Sequence, residues 1–315
     1  MPIHPTPLGS SGRGLAVAPL LTLLVSAPLF GCTEQTVERS RQDEFGVRQV
    51  SDRGVPRPDS VTARLYDEVM TYARSENLHE LPIGEIMQAL GLRFTSMPYM
   101  AGLLDAPAEE TLVCRLDGFD CVTFVESALA LARGVRAEDY SYETFSRNML
   151  DQRYRGGAME GYCSRLHYFS EWIADNEERG TVRNITLDLG GTPLDKHLTF
   201  MSEHRESYPR FVENDSLYQC IREMEAMLAD MKLYYVPQDH IDIVYQSLQA
   251  GDIIAIATSI EGLDVSHTGL VYKDAGGKTG LLHASTTGGV KVSPDLQAYV
   301  QNNRSQIGIV VARPL

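Results

Sequence analysis

At Gly251 the chain changes its hydrophobic period, and that switch constrains the fold more than any other feature. Upstream, apolar residues recur at the three-to-four spacing of amphipathic helices. Val61, Leu65, Val69 and Tyr72 mark a helix beginning near Ser60, and a second covers Ile83 to Leu90. An irregular stretch from Phe94 to Asp117 follows, carrying Pro98, Gly102 and Pro107. Asp120 to Ala132 is predicted helical, with Val122, Val125, Ala128, Leu129 and Ala132 on one apolar stripe. Further helices are expected at Tyr142–Arg153, Arg165–Glu178, Phe200–Arg205 and Leu217–Met231. Downstream come short β-branched runs at Asp252–Thr258, Val265–Tyr272, Gly280–Ser285, Gly289–Val292 and Ile307–Arg313, separated by glycine-rich turns. Helices followed by strands predict an α+β fold with helices on one side of an antiparallel sheet.

Composition sets the outer limits. An apolar fraction of 43% with 22% charged residues supports a sizeable buried core. A net charge of −14 argues against a nucleic-acid partner, because phosphates need a basic footprint. It argues equally against broad binding to anionic lipid. Membrane attachment is expected instead from the N-terminus. Arg13 precedes an uncharged, Leu/Ala/Val-rich stretch from Gly14 to Gly31, broken by Pro19 and Pro28 and too short to span a membrane comfortably. It ends Leu29-Phe30-Gly31-Cys32, which resembles a bacterial lipobox with Cys32 as the lipidated residue. Residues 1–31 then form a lipoprotein signal peptide, and 32–58 a polar, flexible tether. Thr33 after the cysteine resembles the sorting signal of an outer-membrane lipoprotein facing the periplasm. The folded domain is expected over 59–315, with a largely helical insertion at about 135–250.

Four cysteines remain: Cys114, Cys121, Cys163 and Cys220. An oxidising compartment permits disulfides among them. Cys121 has a competing use. Asp120 is expected to cap the helix, which puts Cys121 at its first position, where the helix dipole favours a thiolate. Asp120's own charge opposes that effect, so activation needs a nearby base. Ser266-His267-Thr268-Gly269 and Leu282-His283-Ala284-Ser285 occupy consecutive predicted strands. A hairpin between them would bring both histidines to one face as opposite or diagonal neighbours. Thiol, imidazole and a second imidazole make a nucleophile, a base and a base-orienting group. No C-x-x-C or H-E-x-x-H spacing suggests a zinc site.

The motif Phe119-Asp120-Cys121-Val122-Thr123-Phe124-Val125-Glu126 resembles the nucleophile motif of the NlpC/P60 superfamily of papain-like cell-wall hydrolases. More narrowly it is similar to the DUF1460 branch, whose members are N-acetylmuramoyl-L-alanine amidases. Met97-Pro98-Tyr99 with Gly102, Gly161 to Ser170, Phe200-Met201-Ser202, Gly251-Asp252-Ile253-Ile254 and the two histidine motifs match that branch in order. The resemblance runs from about Ser60 to the C-terminus.

It implies a papain-like core, with Cys121 as nucleophile, His267 as general base and His283 orienting His267. It implies no cofactor and peptidoglycan or muropeptide fragments as substrate. Arg165 has the guanidinium to grip a stem-peptide carboxylate. Tyr99 and Tyr168 are candidates to line the cleft, Asp120 to position an amide or amine, and Ser266 to contact substrate. His167 is as readily structural. The leading expectation is cleavage between muramic acid and L-alanine. The alternatives are a γ-D-glutamyl-diamino-acid endopeptidase with the same triad, and a non-catalytic wall-binding lipoprotein.

Overall fold

The computed structural model describes residues 56–315. The expected signal peptide, Cys32 and all but the last residues of the expected tether lie outside them. Eight α-helices are described: α1 Ser60–Ser75, α2 Ile83–Arg93, α3 Cys121–Arg136, α4 Tyr142–Arg153, α5 Phe169–Glu178, α6 Phe200–Glu203, α7 Asp215–Met227 and α8 Leu296–Gln301. Eight strands accompany them: β1 Val182–Asn184, β2 Thr192–Leu194, β3 Leu233–Pro237, β4 Ile253–Thr258, β5 Val265–Lys273, β6 Thr279–Ser285, β7 Gly289–Ser293 and β8 Gln306–Pro314.

The strands form one antiparallel sheet in the order β2-β3-β8-β4-β5-β6-β7, with β1 also pairing β8. β4 and β6 are buried along their whole length, as their unbroken apolar runs require. Alternation along the strands gives each face its own core. Ile253, Ala255, Leu270, Leu282, Val310 and Ala312 pack under α1 to α5. Ile254, Ile256, Val271, Leu281, Ile309 and Val311 pack with Leu296 and Val300 of α8 and with Ile241, Val244 and Leu248.

Two expectations change here. Helices do not cover one face alone, because α8 closes part of the other. Its six residues are too few for periodicity to declare, although Asp295 caps it by accepting from the Ala298 N–H at 2.7 Å. The segment expected to be helical also contributes β1, β2 and β3, which extend the sheet on the far side of β8 through pairings that only the tertiary structure reveals.

α3 is the central helix. It lies between α2 and α4 and against β5 and β6. It is buried nearly all round rather than along one stripe, and Ala128, Ala130 and Ala132 are the small side chains that let neighbours approach. A fully buried ion pair holds it to α4: Arg153 Nε and Nη2 lie 2.8 and 2.7 Å from Glu126 Oε2. Gly251 is a glycine by necessity. Its φ is +76°, and a Cβ there would fall 1.9 Å from the Gly84 carbonyl oxygen of α2. The next residue, Asp252, receives two hydrogen bonds from Arg313, both at 2.8 Å, which join the start of β4 to the end of β8.

Candidate active site

The start of α3 is built by a capping box. Asp120 Oδ1 accepts from the Thr123 N–H at 2.8 Å, and the Asp120 N–H donates to Thr123 Oγ1 at 3.0 Å. Cys121 is therefore the first helical residue. Its carbonyl accepts from Thr268 Oγ1 of β5 at 2.8 Å, which seats the helix start one residue past His267. The β5–β6 ladder ends at Leu270↔Leu282, so the strands are no longer paired where this contact forms. A β-bulge at Ser266, immediately before His267, breaks the β4–β5 register. Such bulges re-aim the side chains beside them.

His267 and His283 meet diagonally across the β5–β6 hairpin. Their rings are perpendicular, and His267 Nε2 lies 2.7 Å from His283 Nδ1. His283 is fully buried, and its Nε2 lies 3.1 Å from Ser293 Oγ on β7. His267 Nδ1 has no hydrogen-bond partner among the described residues. It is the nitrogen available to a proton from outside the pair. Burial lowers the pKa of His267 to about 4. Burial and the charge of a protonated His267 lower that of His283 to about 3. Both imidazoles are neutral near pH 7.

Cys121 is unpaired and partly open to solvent, although protein atoms crowd its sulfur. Burial, and then the Asp120 carboxylate, push its thiol pKa up, while hydrogen bonding from Thr268 pulls it down. Burial thus favours the uncharged form of both the thiol and the His267 imidazole. No hydrogen bond joins the thiol to His267 in this conformation.

Two tyrosines feel the charge of the sulfur. Tyr99 is held by a parallel bridge to Phe119 just before the helix start. Burial and then the negative charge of ionised Cys121 push its hydroxyl up to about 12. Tyr299 of α8 is raised by the same two causes. Its ring packs on the histidine pair, with centroids 4.7 Å from His283 and 5.9 Å from His267. Reading the sequence missed Tyr299, since nothing local marks so short a helix as part of a site. Ser293 was missed for the same reason, sitting in an unremarkable Lys-Val-Ser run.

The remaining candidates do not all converge. Ser266 is exposed at the bulge, its hydroxyl 3.4 Å from the Ile256 carbonyl oxygen. Arg165 is corrected: it lies before α5 rather than in it, is only 4% exposed, and pairs with Asp105 and, at 3.7 Å, with Glu110. These carboxylates take up Nη2 and Nε of the guanidinium that was expected to meet a substrate, while its Nη1 is buried without a hydrogen-bond partner among the described residues. Tyr168 is also corrected. It is 2% exposed and donates its hydroxyl to Glu225 at 2.7 Å, so it braces the α5–α7 contact instead of lining a cleft. His167 is structural, bonded through Nε2 to the Tyr162 carbonyl at 2.9 Å. Cys163 and Cys220 form a disulfide joining the stretch before α5 to α7, and Cys114 is a buried free thiol.

The chain is similar to several solved structures. An N-acetylmuramoyl-L-alanine amidase from Bacteroides uniformis ATCC 8492 superposes with a TM-score of 0.70 at 31% identity, over 74% of this chain and 99% of that one. A Bacteroides fragilis protein provisionally named a xylanase gives 0.67 at 35% identity, over 71% and 98%. A Legionella pneumophila protein assigned to DUF1460 shares the fold, with a TM-score of 0.60 at 20% identity over 81% and 97%. No curated protein matches the sequence. The model of the AmiA-like, N-acetylmuramoyl-L-alanine amidase-like family matches residues 89–309. With most of the folded chain inside that match, and relatives above 30% identity aligned over nearly their full length, the chain belongs to this amidase-like family.

Proposed function

We propose that the protein is a cysteine amidase of the NlpC/P60, papain-like type that hydrolyses the amide between N-acetylmuramic acid and L-alanine. The observation that carries this reading is the 2.7 Å bond between His267 and His283 beside the start of the Cys121 helix. In the productive state the Cys121 thiol gives its proton to His267 Nδ1, and the sulfur attacks the lactyl carbonyl. The Cys121 backbone N–H, left unpaired by the helix start, donates to the developing oxyanion. His267 then returns the proton to the departing alanine nitrogen, leaving a muramoyl thioester on the sulfur. Water, deprotonated by His267, hydrolyses the thioester and frees the thiol. The xylanase label of one relative points to different chemistry. Glycoside hydrolysis uses a carboxylate pair, whereas this site presents a thiol and two imidazoles, and its adjacent carboxylate, Asp120, caps a helix.

The remaining assignments are proposals of the same reading. Tyr99 lines the substrate side of the sulfur, Asp120 keeps one carboxylate oxygen for a substrate amide or amine, and Ser266 borders the entrance. Cys32 carries the lipid that tethers the domain, through residues 32–58, to the periplasmic face of the outer membrane. Digesting defined muropeptides and weighing the products tests the reading. The expected product is an intact stem beginning with L-alanine, absent with Cys121→Ala. A shortened L-Ala-D-Glu stub would show endopeptidase action instead, and activity surviving Cys121→Ala would remove the cysteine mechanism.

A further inference from the structure

We infer that the proton relay of this site continues beyond His283, with Ser293 as a positioning residue that selects the tautomer on which catalysis depends. The inference rests on the cysteine reading and deepens it. A hydrogen bond between two neutral imidazoles has two possible directions. In one, His267 Nε2–H donates to His283 Nδ1, and His267 Nδ1 is free to accept the thiol proton. In the other, His283 Nδ1–H donates to His267 Nε2, and the His267 proton sits on Nδ1, where it blocks the base. The two arrangements interconvert by moving one proton on each ring, so a third group must decide between them.

Ser293 Oγ is placed to do so. It lies 3.1 Å from His283 Nε2, and no other hydrogen-bond partner reaches that nitrogen among the described residues. Tyr299 packs edge to face with the His283 ring without bonding to it. With Ser293 half-buried, its own proton can point to solvent and its lone pair can accept from His283 Nε2–H. His283 then carries its single proton on Nε2, Nδ1 becomes an acceptor, and His267 must present Nε2–H to it. Each proton in the chain is accounted for, and the free lone pair lies on His267 Nδ1. When His267 takes the thiol proton, the imidazolium still donates to His283 Nδ1, and nothing else needs to move.

Asp120 acts on Cys121 and Tyr99; the titratable groups that act on or pack against the histidine pair itself are Lys291 of β7 and Tyr299 of α8. Neither of the latter two is a carboxylate, so a hydroxyl acceptor sets the tautomer without adding charge.

The test combines kinetics on a defined muropeptide with 15N NMR of histidine-labelled protein. Ser293→Ala is expected to lower kcat by about 10- to 100-fold, the effect typical of removing a hydrogen-bond partner that orients a metal-bound histidine and taken here by analogy, with KM little changed. Ser293→Thr keeps the hydroxyl and is expected to restore most of the rate. Ser293→Asp, an obligate acceptor, is expected to move the acid limb of kcat/KM upward. In the wild type the NMR spectrum should show His283 protonated on Nε2, and in Ser293→Ala a mixture of tautomers. Wild-type kcat and pH profile in Ser293→Ala, or a His283 proton on Nδ1 in the wild type, would overturn the inference. Failure of the cysteine reading is separate, because Cys121→Ala would then retain activity whatever Ser293 does.

Discussion

Removing Glu126 tests how α3, the helix that begins at Cys121, is held. Glu126 and Arg153 are each 1% exposed, and the guanidinium's other hydrogen bond runs from Nη1 to the Val113 carbonyl at 2.6 Å. In Glu126→Leu the guanidinium stays charged, since arginine does not release its proton, but it loses the Nε hydrogen bond and the Nη2 charge contact with the carboxylate. Breaking a buried pair from one side typically costs about 3–5 kcal/mol. Removing both partners is different: Glu126→Leu with Arg153→Met leaves no stranded charge and deletes only the Val113 bond, worth about 1 kcal/mol net. The double variant is therefore expected to recover most of the loss. Urea unfolding at pH 7, with midpoint and slope fitted separately, provides the readout. Glu126→Leu within about 1 kcal/mol of wild type, or a double variant no more stable than the single, would refute the reasoning.

Three other outcomes follow from the same structure. His167 has its pKa lowered to about 3 by burial and by Arg165; the unfolded chain takes up that proton first, so this contribution to stability is complete above about pH 6.5 and shrinks as pH falls. At pH 5 the loss is up to about 2 kcal/mol, and His167→Gln should shrink the pH 7-to-5 drop in unfolding free energy by that amount, an unchanged drop counting against the assignment. Lys196 Nζ donates to the Thr258, Ile260 and Leu263 carbonyls, pinning the loop that leads into the His267 strand; Lys196→Met should cost about 2 kcal/mol in chemical denaturation and speed hydrogen exchange in 258–264. The Cys163–Cys220 bond spans 57 residues, so the Cys163→Ser/Cys220→Ser variant should lose about 4 kcal/mol by the loop-entropy relation, and an equally stable variant would show the bridge does not constrain the unfolded chain.

The parts of this fold legible in the sequence are those written in local chemistry. Asp120 three residues before Thr123 announces the helix start, and the β-branched runs after Gly251 announce β4 to β8. The two histidines fell on consecutive strands and met diagonally because alternation and a short turn leave little other choice. What local pattern could not supply were relations between distant segments. β1 and β3 are defined by pairing with β8, more than seventy residues away in sequence. Tyr299 and Ser293 join the site only because α8 and β7 fold back over the hairpin. Arg165 shows the opposite error: an arginine suited to a substrate carboxylate is equally suited to Asp105 and Glu110, and sequence does not say which it meets.

Mass spectrometry of an acid-quenched reaction bears most directly on the central claim, that Cys121 attacks the muramoyl–alanine amide. Acid traps a thioester, and digestion locates it on a peptide. The account predicts a muramoyl adduct on the Cys121 peptide, formed during turnover and absent with His267→Ala. An adduct carrying L-Ala-D-Glu would move the cut to the neighbouring stem bond, and turnover with Cys121 unmodified and dispensable would contradict the account.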